Sequence, residues 1–230
     1  MKIQIYALTS VADAVDTVRA GADLIGVVAD NDGLVVEDRT SAQAREIFAA
    51  VESQALTIAL SLGTDVERIA RMLDSTRPHI LHLAARDLPT SVVERIRARI
   101  GAVKLMLAVL IDGPGAIEVA RERARIADYL ILDSGATGNP ITGATGRPHD
   151  WNISARIVAE SSVPVVLAGG LSPDNVAEAI RVVRPWAVDS FTRTDRVGQR
   201  GVKDPARVRA FVQNARAAAL SPTEQGFTGS

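Results

Sequence analysis

An aspartate, Asp133, follows the apolar run Tyr129-Leu130-Ile131-Leu132, and a glycine pair, Gly169-Gly170, closes a second run, Val163-Pro164-Val165-Val166-Leu167-Ala168. A carboxylate at the end of a buried strand is suited to general acid or base work once partial burial raises its pKa. A glycine pair lets the backbone turn sharply and puts no Cβ in the way of a ligand. The next residues, Leu171-Ser172-Pro173-Asp174-Asn175, read as a helix start with Ser172 as N-cap and Pro173 in the first helical position. Bare N–H groups at such a start favour an anion, most often a phosphate. Between the two runs lies Thr142-Gly143-Ala144-Thr145-Gly146-Arg147, a small-residue loop whose hydroxyl and backbone donors suit closure over a phosphate.

These residues act together only if a scaffold brings them together. Short apolar runs alternate with amphipathic stretches along the chain, which is the pattern of a parallel α/β sheet. Strands are expected at about 2–8, 23–29, 56–61, 79–84, 103–111, 128–132, the run ending at Ala168, and 186–191, each followed by a helix. Ser10 with Asp13 and Thr64 with Glu67 read as helix caps, Pro173–Val183 as the seventh helix, and Asp204-Pro205 opens a last helix ending near Leu220. A doubly wound open sheet usually has about five or six strands and carries its glycine fingerprint after the first. Here the first turn, Ala7-Leu8-Thr9-Ser10, has no glycine, and the anion-binding turns come late. A (β/α)8 TIM barrel places its phosphate site after strands seven and eight. The expectation is therefore one barrel domain over residues 1–220, with 221–230 as a flexible C-terminal tail.

In such a barrel the site lies at the C-terminal strand ends, which offer Tyr6, Thr9, Asp30, Ser61, Asp112, Asp133, Ser134, Asp189, Thr192 and Arg193, with His82 slightly further inside. His79 and His82 face opposite sides of one strand, so they cannot share a metal; both, with His149, are assigned structural or surface roles, and no metal or cofactor is expected. Hydrophobic residues make up 47% and aromatics only 3%, so the core must be mostly Ala, Val, Ile and Leu. A net charge of -1 argues against a nucleic-acid partner, and the absence of cysteine excludes disulfides and a thiolate base. No apolar run reads as a signal peptide or membrane span, so a cytoplasmic monomer or homodimer binding a small phosphorylated metabolite is expected.

Taken together, these residues resemble the phosphoribosylanthranilate isomerase family, a barrel enzyme of tryptophan synthesis. Leu130-Ile131-Leu132-Asp133-Ser134 looks like its strand six with the acidic catalytic residue. Gly143-Ala144-Thr145-Gly146 followed by Asp150-Trp151 looks like its phosphate loop, and Leu167-Ala168-Gly169-Gly170-Leu171-Ser172-Pro173-Asp174-Asn175-Val176 is close to its next motif. Gly201-Val202-Lys203-Asp204-Pro205 resembles the start of its helix eight. The departures fall where the chemistry belongs. The family's first strand ends in Cys-Gly, the cysteine being the general base of an Amadori rearrangement; Tyr6-Ala7 stands there instead. Its substrate-binding arginine after strand two pairs with Val35, and Arg39 substitutes only with a shifted loop. Gln-Leu-His-Gly after strand four becomes His82-Leu83-Ala84-Ala85, and Ser-Ser-Gly after strand eight becomes Phe191-Thr192-Arg193.

The resemblance implies a divergent relative that isomerises or epimerises a phosphorylated sugar or related small metabolite. Asp133 would be its acid or base, Tyr6 or Asp30 its partner, and Gly143, Thr145, Gly146, Gly169, Gly170, Thr192, Arg193 and Arg39 its phosphate and substrate contacts. The alternatives are a catalytically silent phosphometabolite-binding or regulatory barrel, and an authentic phosphoribosylanthranilate isomerase with a substituted base. A metal-dependent pentulose-phosphate epimerase is disfavoured, because paired His and Asp ligands are missing.

Overall fold

The computed structural model describes residues 1–85, 88–134 and 149–220. Eight parallel strands close into a barrel in chain order: β1 (Lys2–Ile5), β2 (Leu24–Val28), β3 (Leu56–Ser61), β4 (Ile80–Leu83), β5 (Lys104–Ile111), β6 (Tyr129–Ser134), β7 (Val165–Leu167) and β8 (Ala187–Ser190). β8 returns to β1 in register Gln4↔Asp189 and Ile5↔Ser190, which leaves the barrel without an edge strand. Around them lie α1 (Val11–Arg19), α2 (Ser41–Val51), α3 (Val66–Thr76), α4 (Thr90–Arg99), α5 (Ala116–Ala124), α6 (Trp151–Glu160), α7 (Val176–Val183) and α8 (Pro205–Leu220). The expected (β/α)8 barrel is the fold. Residues 221–230, expected as a tail, lie outside the described residues. Among the described residues, no helix is long and apolar enough to cross a membrane.

Successive strand residues point to opposite faces. In β2, Leu24 and Val28 turn into the barrel while Ile25 and Val27 meet the helices. The helix layer is pinned by Phe48 of α2 and Phe211 of α8, both fully buried and each worth about 1.5–3 kcal/mol of burial. Inside the barrel, Ile58, Ile80, Met106, Ile131 and Val166 form the second cluster. Gly26 occupies an inward position without a side chain, and the Tyr6 ring fills that space: a Cβ on Gly26 would sit 2.7 Å from three Tyr6 ring atoms.

Two helix starts differ from their sequence reading. α3 is capped by Asp65, whose carboxylate accepts from Arg68 N at 2.9 Å, in place of Thr64. Ser172-Pro173-Asp174-Asn175 forms a side-chain-bonded turn, with Asn175 Oδ1 accepting from Ser172 N at 2.8 Å. That turn satisfies the early donors, so α7 begins only at Val176. The β8–α8 connection also holds unforeseen structure: one 3₁₀ turn (Thr192–Thr194) and a hairpin of β9 (Asp195–Arg196) and β10 (Gln199–Lys203).

Candidate active site

The C-terminal strand ends surround a cavity that is open at its mouth. One wall is the pair of turns after β7 and β8, contributing Gly169, Gly170, Leu171, Phe191, Thr192 and Arg193. The facing wall is apolar, built from Val28, Leu60, Leu62 and Ala84, with Val35 from the loop after β2. Tyr6, His82, Asp133 and Asp189 supply polar groups between them.

The turn wall is shaped by backbone. Gly169 and Gly170 take φ of +85° and +71°, the left-handed region that L side chains avoid. A Cβ on Gly169 would also sit 2.7 Å from His149 Nδ1 and 3.0 Å from Ser134 N. Ser190 Oγ donates to Leu171 O at 2.9 Å and so ties the two turns together. Buried Lys203 donates through Nζ to Phe191 O at 3.2 Å and to Asp195 Oδ1 at 2.6 Å, while Gly201 N donates to the other Asp195 oxygen at 2.8 Å. The hairpin is thereby bolted beneath the second turn. The N–H groups of Gly170 and Thr192 have no hydrogen-bond partner among the described residues. Amides held open on adjacent turns are suited to an anion.

Two carboxylates share the cavity. Asp133 is half-buried at the end of β6, and Ser134 N donates to its Oδ1 at 2.7 Å. Asp189, one strand beyond the glycine turn, is 7% exposed and accepts from Gln4 Nε2 at 3.0 Å. Burial first, and the Asp133 charge second, push Asp189 up to about 8, against the opposing pull of Gln4 and Lys203. The Asp133 charge disfavours ionisation of its neighbour, so Asp189 can hold and hand over a proton near neutral pH.

Tyr6 and His82 form a third feature. The phenol oxygen and His82 Nδ1 are 2.9 Å apart, with the rings edge-on at 74°. Burial, followed by the Asp189 charge, raises the Tyr6 phenol well above its ordinary value, and burial pulls His82 down to about 3. Both groups are therefore neutral around pH 7. The sequence reading made Tyr6 an acid/base partner; a phenol in this setting can donate a hydrogen bond, but it is unfit to accept a proton as a base.

The expected site residues divide. Gly169, Gly170, Asp133, Tyr6, Thr192 and Arg193 meet at the cavity. Asp30 does not: its carboxylate accepts from Ser41 N at 3.1 Å and from Ser41 Oγ, fastening the β2–α2 loop to the helix start. It borders a separate cleft with Ser61, Asp65 and Arg68. Arg39 also lies away from the cavity, donating to Val36 O at 3.2 Å, and Val35 and Glu37 of the same loop line it instead. Gly143, Thr145 and Gly146 lie outside the described residues. Sequence reasoning passed over three contributors. Asp189 and His82 stood among the strand-end residues but were not chosen; the two-residue alternation from inward-facing Ala187 and Ile80 marks their positions. The ion pair of Arg200 with Glu37, at the cavity rim, joins loops 163 residues apart and leaves no local signal.

A closed barrel with an amide-lined glycine turn after strand seven and carboxylates on strands six and eight has the organisation of barrel proteins that handle phosphorylated small molecules. Residues 3–214 match the family model for N-(5'-phosphoribosyl)anthranilate (PRA) isomerase, and the chain belongs to that family. It is 32% identical over 218 residues to the N-(5'-phosphoribosyl)anthranilate isomerase of Haloferax volcanii, covering 94% of each chain. The Halorubrum lacusprofundi protein of that name is 34% identical, over 93% of this chain and 96% of its own. Among solved structures, phosphoribosyl anthranilate isomerase from Thermococcus kodakaraensis superposes with a TM-score of 0.75 at 28% identity, covering 94% of this chain and 98% of that one. Another, solved with reduced 1-(O-carboxyphenylamino)-1-deoxyribulose 5-phosphate, shares the fold at a TM-score of 0.78 and 23% identity, covering 94% of this chain and 99% of its own.

Proposed function

We propose that this chain is an acid/base isomerase of a phosphorylated sugar or closely related metabolite, using Asp133 and Asp189 for the proton transfers. The observation that carries this reading is the pair of carboxylates on β6 and β8 facing one cavity beside the glycine turn. The phosphate rests on the amides of Gly170 and Thr192, with Arg193 adding charge at the same turn. The C1–C2 end of the sugar then lies towards the carboxylates. Asp189, carrying its proton, donates to the ring oxygen as the C1–O bond breaks. Asp133, ionised, removes the C2 proton, and that electron pair forms the C1=C2 bond of an enol or enolamine. Loss of the C2 hydroxyl proton and protonation of C1 give the ketose. Every proton lost is replaced, so no oxidant or reductant is needed.

Val35, Leu60 and Leu62 offer an apolar surface where the resemblance leads one to expect an arginine. The names of the relatives supply the first substrate to test. Freshly prepared phosphoribosylanthranilate is followed by loss of its fluorescence, and phosphorylated aldoses are assayed beside it. Turnover of at least one is expected, and Asp133→Asn or Asp189→Asn should lower it by about 10²–10⁴-fold. Full activity in Asp133→Asn overturns the reading. The protonated state of Tyr6, where the family base would stand, favours a second reading: a barrel that binds phosphometabolites without turning them over. Binding of every tested phosphate with turnover of none selects it.

A further inference from the structure

The imidazole of His82 lines the cavity but is only 5% exposed, and its Nε2 is buried with no hydrogen-bond partner among the described residues. A buried polar atom without a partner calls for an explanation, since native structures pair nearly all of them. The other ring nitrogen is held by Tyr6 at 2.9 Å. Two proton arrangements fit that contact. If Nδ1–H donates to the phenol oxygen, the Tyr6 hydrogen and the Nε2 lone pair are both left unpaired. If Tyr6 O–H donates to Nδ1, only Nε2–H is left, and it belongs to a ring that lines the cavity. The second arrangement leaves fewer buried groups unsatisfied and fixes Nε2 as a donor.

We propose that His82 is a catalytic residue whose Nε2–H donates a hydrogen bond to the ligand oxygen on C2, with Tyr6 positioning the ring. The imidazole keeps its proton throughout. It stabilises the negative charge that develops on that oxygen as the C2 hydroxyl gives up its proton and C1 takes one, as a neutral imidazole is suited to do. Burial, which holds the ring uncharged near pH 7, makes it a donor without making it a cation. Gly26 serves the same end, because only a residue without Cβ admits the Tyr6 ring that orients His82. This inference rests on the isomerase reading above.

The test is NMR of the full chain with ¹⁵N-labelled histidine and backbone, free and titrated with reduced 1-(O-carboxyphenylamino)-1-deoxyribulose 5-phosphate or with ribulose 5-phosphate. The free chain should show Nε2 of His82 protonated between pH 6 and pH 8, about the range in which an unperturbed histidine titrates. Bound ligand should move both that resonance and the amides of Gly170 and Thr192. Moved amides with an unmoved Nε2 overturn the role of His82 and leave the phosphate site standing. Unmoved amides with both ligands overturn the isomerase reading and this inference together. In turnover, His82→Leu should lower kcat by about 10²-fold with little change in KM, and His82→Gln, which keeps a donor, should recover part of the loss. Unchanged kcat in His82→Leu also overturns it.

Discussion

At the β7–β8 end of the cavity the working surface is backbone: two left-handed glycines, a 3₁₀ turn, and amides held open by Ser190 and Lys203 from behind. Across the cavity, at the β1–β4 end, it is side chain: Tyr6 on His82, and a wall of Val28, Val35, Leu60 and Leu62. The two ends diverge from the family pattern to different degrees. Backbone function depends on φ angles and on residues small enough to permit them, so the glycine turn is kept. Side-chain function depends on identity at single positions, and Tyr6, Val35 and His82 stand where the resemblance leads one to expect a cysteine, an arginine and a glutamine. On the reading proposed above, the glycine turn holds the phosphate and the β1–β4 side chains handle the other end of the ligand.

The contrast can be broken or sharpened by substitution. The largest effect is expected from the carboxylates between the two ends, as given above. Next is Gly169→Ala, which forces a Cβ against His149 and the Ser134 amide and strains the left-handed backbone. It should cost about 1–3 kcal/mol of stability and weaken phosphate affinity more than it lowers kcat. Chemical denaturation and phosphate-competition binding read the two effects separately, and an unchanged affinity would show that the turn does not hold the anion. The smallest effect is expected at Ala7, which adopts φ +57° where the family pattern has glycine. Ala7→Gly relieves roughly 1 kcal/mol of left-handed strain but adds about 0.5–1 kcal/mol of chain entropy in the unfolded state. Its midpoint of denaturation should therefore stay nearly the same, and a large gain would mean that the β1 end is more strained than its contacts indicate.

The barrel was legible because eight apolar runs with helix signals between them admit few other closures. α8 matches its expected bounds, since Asp204 is a strong cap: its Oδ1 accepts from Ala206 N at 2.9 Å. α7 was misplaced because Asn175 bonds back to Ser172 N, a competition between two capping side chains that spacing alone does not resolve. In the site, the glycine turn and Asp133 were legible because each follows directly on a strand. Asp30 looked equivalent by the same rule, but its left-handed φ of +53° directs its carboxylate to Ser41. Asp189 and His82 owe their character to burial by distant strands, which no local pattern encodes.

Asp189 carries the central claim, and its raised pKa has a stability consequence of definite sign. The folded chain binds this proton more tightly than the unfolded chain, so the contribution to stability is full below 3.8 and lost as pH rises through about 8. The most direct measurement is a ¹³C-carboxyl NMR titration of aspartate-labelled wild-type chain and of Asp133→Asn. The account predicts one carboxyl titrating near pH 8 in the wild type, with its midpoint lowered when the Asp133 charge is removed. An Asp189 resonance that titrates in the ordinary carboxylate range, and stays there in Asp133→Asn, would contradict it.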